Sequence, residues 1–146
     1  CIDDPRTRSL AARVAVPVLT YGFSEDAYLR AFDVKHAGHS STYSVMMGGH
    51  RMGPFTLNIP GRHNVLNSLA AIAVAWKLGV TEAQLAQGLT TFCGVKRRFQ
   101  FMGEASGIKV FDDYAHHPTE IRATLASARL GRPRDGTSGN FRSTLQ

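Results

Sequence analysis

The sequence predicts an α/β chain assembled from two partial units, and three observations carry that expectation. Before Pro60-Gly61, short stretches alternate between apolar and polar residues, as half-buried strands do. At Pro60-Gly61 the period changes, and apolar residues recur at spacings of three and four, as on a packed helix. Beyond a charged, glycine-containing stretch at Phe92–Arg98, a strand pattern gives way to a helix pattern, the opening of an α/β unit.

Taken in order, Val14–Phe23 reads as a strand interrupted by Pro17 and closed by Gly22. Tyr28–His36, Ser44–Met47 and Phe55–Ile59 alternate loosely, with a Gly48-Gly49 turn and a Gly53-Pro54 break between them, which predicts a small antiparallel sheet. From His63 to Leu78, Leu66, Leu69, Ala70, Ile72, Ala73 and Trp76 make one buried helix face, and Gly79 ends it. Thr81 caps a second helix with Glu82 and Gln84 in its first turn, running to about Thr90. Phe92–Arg98 has no periodicity and is expected to be an interdomain linker. Arg98–Phe101 and Ile108–Asp112 read as two strands around a Ser106-Gly107 turn, and Ile121–Leu130 as a helix with Thr119 as its cap. Gly131–Gln146 is rich in glycine, serine and arginine with only Phe141 and Leu145 as apolar anchors, so it is expected to be disordered or read out of frame.

Composition narrows the function classes. The hydrophobic fraction of 43% and charged fraction of 19% belong to a globular rather than a disordered chain. No apolar run approaches the roughly 20 residues that cross a bilayer, and no basic-then-apolar leader opens the chain, so a cytoplasmic location with no membrane partner is expected. Two cysteines, Cys1 and Cys93, are too few for a disulfide framework, which suits a reducing compartment. Cys1 reads as the cut end of a longer chain rather than as a nucleophile or lipid-attachment site. The formal charge of +6 serves small polyanions as well as nucleic acid, and Arg132, Arg134 and Arg142 put part of it in the tail. No basic stripe is interleaved with aromatics, so nucleic acid is not expected as a partner.

Three constellations carry candidate chemistry. His63, Asn64 and Asn67 lie three and four residues apart, hence on one helix face. Asparagine is a poor helix-interior residue; it serves either to cap the helix start or bond a nearby loop, or to present an amide donor and acceptor to an adenine edge. Lys96, Arg97 and Arg98 form either a solvated charge run or a phosphate-binding arm, since guanidinium forks meet phosphate oxygens bidentately. Asp112 to Pro118 follows a predicted strand, where α/β folds place ligand sites. There a carboxylate, Asp112 or Asp113, suits ribose hydroxyls, the Tyr114 ring a base, and a histidine, His116 or His117, an anionic group. Neighbouring residues on a strand point oppositely, so this run is not expected to hold a metal, nor are His36 and His39. No G-x-x-x-x-G-K-[ST] loop occurs, so the usual phosphate cradle of an ATP-driven enzyme is not in this sequence.

Four blocks in this order, TYGFSEDA (20–27), FTLNIPGRHNVLNSLAAIAVA (55–75), FCGVKRRF (92–99) and DDYAHHPTEIRATL (112–125), resemble the Mur ligases, and most nearly the member that adds L-alanine. The resemblance covers about Cys1–Leu130. A relative that recycles a murein tripeptide has similar blocks, and folylpolyglutamate synthase shares the architecture.

What the resemblance implies is specific. Residues 1–94 would be the latter part of a central ATPase domain, and 95–130 the start of a Rossmann-like C-terminal ligase domain. Asn67 would contact adenine with His63 and Asn64 beside it, Arg98 would reach the phosphates, and Asp113 would hold the ribose. Tyr114 and His116 would lie near the base and the incoming amino acid, with His116 the catalytic candidate. The cofactors implied are ATP and Mg2+, the metal's ligands lying outside this chain, and the partners are UDP-N-acetylmuramate and L-alanine. The alternatives are a fragment of the tripeptide-recycling ligase and a non-catalytic nucleotide-binding remnant. With the UDP-sugar domain and the P-loop absent from this sequence, the chain alone is expected to have no ligase activity.

Overall fold

The computed structural model describes residues 1–130, so the tail at 131–146 lies outside the described residues. The chain opens with a helix the sequence reading missed, α1 (Pro5–Ala11), whose Asp4 cap accepts from the amides of Arg6 and Thr7 at 2.9 Å. The signal was present: an aspartate directly before a proline at the first helical position. The Arg8 guanidinium pairs with Asp26, fastening α1 to the turn between the first two strands of a sheet.

That sheet has four strands in sequential order, β1 (Tyr21–Gly22), β2 (Leu29–Ala37), β3 (Ser40–Met47) and β4 (His50–Leu57). The last three pair antiparallel, as expected, while β1 joins β2 in parallel. The long strand expected at Val14–Phe23 shrinks to two residues. Val14, Val16 and Val18 are exposed, because only the end of the run meets a neighbour: Leu29 donates its amide to Thr20 at 2.9 Å. Alternation alone does not make a strand without a partner to hydrogen-bond.

The break expected at Gly53-Pro54 is likewise absent. The strand runs through it as a bulge, with Tyr43 opposite Phe55 and Val45 opposite Met52, so that Gly53 and Pro54 together face Ser44. A bulge is where a sheet tolerates a residue without an N–H.

The inward side chains of this sheet, among them Leu29, Tyr43, Val45, Phe55 and Leu57, are fully buried against α2 (Arg62–Lys77). One face of α2 supplies Val65, Ser68, Leu69, Ile72 and Ala73. Ser68 is a polar residue in an apolar seat, and its bonding explains it. Its hydroxyl donates to the Val65 carbonyl at 2.7 Å and therefore accepts from Tyr43 Oη at 2.5 Å, which leaves neither buried hydroxyl unpaired. Trp76, expected in the buried face, is partly exposed instead, and Val74 beside it more so.

Gly79, at φ +83°, ends the helix as expected. Thr81 and Gln84 then close a reciprocal capping box at the start of α3 (Glu82–Thr91). Glu82 accepts the Gly53 amide at 2.8 Å, tying α3 to the bulge in β4.

The second body is a hairpin, β5 (Gln100–Ala105) and β6 (Ile108–Asp112), followed by α4 (Pro118–Leu130). Thr119 lies inside the first turn of α4 rather than before it. The capping is done by His117, whose Nδ1 accepts from the Thr119 amide at 3.3 Å. The hairpin leaves Phe101, Met102, Ile108 and Val110 exposed. Among the described residues no helix is long and apolar enough to cross a membrane.

Candidate functional site

The two bodies meet around the linker. Two glycines shape the meeting. Gly94 has φ +90° and lies so near Ile59 that a Cβ there would stand 3.1 Å from its Cγ2. Gly61, at φ +105°, opens α2 with its Cα against the Ser127 hydroxyl of α4, leaving no room for a side chain. Ser127 is buried there, so α4 touches the start of α2 through it.

Arg98 is positioned by its neighbours. Arg97 and Phe99 both adopt left-handed φ values, 60° and 51°. Each is held to the second body: the Arg97 carbonyl accepts the Tyr114 amide at 2.8 Å, and the Phe99 amide donates to Asp113 at 2.8 Å. The Phe99 ring stacks on Phe111 at 4.4 Å, and the Arg97 guanidinium lies over Tyr114 at 4.7 Å. Arg98 therefore belongs structurally to the second body, and the free part of the linker ends before it.

Asp113 accepts with both oxygens, from Phe99 and, at 2.7 Å, from Ala115. Arg98 Nη1 lies 3.5 Å from Glu120 Oε1. Glu120 in turn accepts from the amides of His117 and His116 at 3.3 and 3.4 Å and stands 3.8 Å from His116 Nδ1. Those two backbone bonds, that to His117 foremost, and then the charges of Arg98 and His116 hold its carboxyl below the ordinary range.

Across the seam, burial pushes the His63 imidazole below its usual value; the Arg98 charge pushes the same way and Asp113 opposes. The charges of Arg98 and Asp113 on the second body thus both act on His63 at the start of α2. His116 is exposed, its Nδ1 3.0 Å from the Tyr114 carbonyl, and Tyr114 meets its ring edge-on at 5.2 Å.

Asn64 bonds the loop that leads into α2, its side-chain amide donating to the Pro60 carbonyl at 2.6 Å, and leaves the helix's own first amides uncapped. Asn67, one turn beyond His63, is exposed, and no side-chain hydrogen bond joins it to another described residue. Both asparagines rim an apolar groove of about 410 Å³ between α2 and α3, floored by Ile72, Leu85 and Leu89, which neither Arg98 nor Asp113 lines. A second crevice, about 320 Å³, lies along the linker between His39, Lys96, Arg98 and Phe101. The structure brings together His63, Arg98, Asp113 and His116 through Glu120, and sets Asn67 to one side on α2. Sequence reasoning passed over Glu120, Gly61 and Ser127. Only Glu120 carried a signal, a glutamate three residues after the position before a helix-opening proline.

Comparison with known proteins decides the family. Residues 1–75 match the model of the Mur ligase middle domain, and residues 97–136 that of the Mur ligase glutamate ligase domain. The chain belongs to the Mur ligase family. A UDP-N-acetylmuramate–L-alanine ligase of Pelobacter propionicus is 47% identical over 133 residues, 91% of this chain and 29% of that protein. A UDP-N-acetylmuramate-alanine ligase of Thermotoga maritima, known from its crystal structure, superposes with a TM-score of 0.70 at 35% identity, over 77% of this chain and 26% of that one. A murein peptide ligase of Psychrobacter arcticus superposes at 0.58 with 33% identity, over 85% of this chain and 26% of the other. This Mur ligase chain spans about 29% of the length of the curated relatives it matches. Among its described residues no group of three or more His, Cys, Asp or Glu could hold a metal ion.

Proposed function

We propose that the protein to which this segment belongs joins L-alanine to UDP-N-acetylmuramate in peptidoglycan precursor synthesis, in the cytoplasm, with residues 1–94 in its central ATP-binding domain and 95–130 opening its C-terminal ligase domain. In that reaction the muramic acid carboxylate takes the γ-phosphoryl group of ATP to give an acyl phosphate and ADP. The alanine amine then attacks the acyl carbon, and the tetrahedral intermediate expels phosphate.

The observation that supports the proposal is that Arg98 and Asp113, held on the second body by Phe99 and Glu120, act with opposite charges on His63 of the first body across a glycine-containing linker. The donor set suits a nucleotide. A guanidinium has five N–H donors, and Arg98 approaches Glu120 at Nη1 with its side chain 54% exposed, leaving donors for phosphate oxygens. Each Asp113 oxygen takes one backbone amide and keeps accepting capacity for a ribose hydroxyl. Asn67 offers an uncommitted amide to an adenine edge, with His63 and Asn64 beside it. Tyr114 would lie near the base, and His116 near the incoming amino acid. Magnesium would supply charge neutralisation on the phosphates, from ligands outside this chain. Closing the seam would align the reactants and keep water from the acyl phosphate.

The test is phosphate release by the complete protein given ATP, UDP-N-acetylmuramate and L-alanine. Release is expected there and none from the 146-residue chain alone. The similarity to the murein peptide ligase supports a second reading, in which the acceptor is a recycled tripeptide. Turnover with tripeptide and none with L-alanine would select it, and ATP binding without turnover on either would leave a non-catalytic nucleotide-binding module.

A further inference from the structure

We propose that Glu120 is the positioning residue for Arg98, aiming its guanidinium across the seam while fixing the loop that carries His116. The inference rests on the reading of Arg98 as a phosphate-binding group. Arg98 has a fixed backbone, because Arg97 and Phe99 on either side are hydrogen-bonded to Tyr114 and Asp113. Its side chain is long, and 54% of it is exposed, so without a partner it would sample many rotamers. Glu120 supplies that partner from the first turn of α4.

Glu120 is itself anchored, accepting from the His116 and His117 amides, so it offers Arg98 a stationary charge rather than a second mobile side chain. The contact engages Arg98 through Nη1 and leaves other donors of the fork available. An exposed pair of this kind adds little to folding. Its consequence is pre-organisation: a guanidinium already held in place loses less freedom when it meets a phosphate.

Glu120 also completes the cap of α4, so its two roles must be separated. Glu120→Gln does so, since a glutamine oxygen still accepts from the His117 amide while the charge facing Arg98 is gone. In the complete protein, E120Q is expected to melt with the wild type and to raise the KM for ATP roughly tenfold, with kcat changed far less. Paired with Arg98→Gln, it should add nothing to the effect of R98Q alone. An unchanged KM in E120Q, beside a raised one in R98Q, would overturn the positioning role and leave the phosphate reading standing. Additive effects would overturn it too. Unchanged ATP kinetics in R98Q would remove the phosphate reading itself, and the proposal with it. If E120Q does not fold, Glu120→Asp replaces it, keeping the charge but withdrawing it by one methylene. Roughly a threefold rise in KM is then expected, and no rise overturns the proposal.

Discussion

The backbone amide of Phe99 donates to the carboxylate of Asp113 at 2.8 Å, so the residue just after the linker is bonded to the residue just after β6. Asp113 is therefore a scaffold residue as well as a candidate ribose ligand. Asp113→Ala would strip acceptors from two amides, those of Phe99 and Ala115, and is expected to destabilise the second body by about 2–3 kcal/mol, the usual range for bonds to a charged group. Denaturant unfolding followed by hydrogen exchange at Phe99 and Ala115 measures it. Unchanged exchange at both amides would contradict the scaffold role.

How much of this was legible depended on whether the decisive partner was local. The helix of Arg62–Lys77 and its Gly79 stop, and the Thr81–Gln84 box, are set by contacts within a few residues, and periodicity revealed them. Val14, Val16 and Val18 alternate as well as any strand, yet lie outside the sheet because pairing depends on a neighbour distant in sequence. The bulge at Gly53-Pro54 looked like a break for the same reason, since Ser44 on the facing strand accommodates it. In the site, His63, Arg98 and Asp113 stood out by residue type and by resemblance. Gly61 and Ser127 did not, because each matters only through the other, across a seam that local pattern does not encode.

Two half-buried imidazoles, His63 and His36, give stability a direction in pH. Burial lowers His63, with Arg98 assisting and Asp113 opposing, and burial followed by the Arg62 charge lowers His36. The unfolded chain then takes up protons near the ordinary value of 6.5, while the folded chain still excludes them. Stability is therefore complete above that value and declines as pH falls from it through the lowered folded values. Unfolding free energies measured between about pH 8 and 5 should fall toward acid, and His63→Gln should flatten part of the slope. An identical slope in the variant would mean that His63 is not buried neutral.

Gly61→Ala tests the seating of α4. The new methyl would occupy the space of the Ser127 hydroxyl, at a φ that side chains rarely adopt. A loss of about 2–3 kcal/mol is expected, in line with steric strain at a buried site. Adding Ser127→Ala should recover the steric part while the backbone part persists. No recovery would place the strain elsewhere than against α4.

The two asparagines of α2 should respond oppositely, and that opposition separates helix start from ligand contact. Asn64 spends its amide donor on the Pro60 carbonyl at 2.6 Å, so Asn64→Ala should lower stability by about 1 kcal/mol, as loss of a side-chain bond to a partly buried carbonyl does. Asn67 is exposed with no such bond among the described residues, so Asn67→Ala should leave stability within about 0.5 kcal/mol. If its amide reads an adenine edge, the same change should weaken ATP binding by the complete protein roughly tenfold, because a site built to hydrogen-bond is then left without one partner. GTP, whose base edge reverses the donor and acceptor, should already bind poorly to the wild type and lose little more. Calorimetry of both nucleotides against both variants decides the matter: equal losses for ATP and GTP at Asn67 would show that its amide does not read the base.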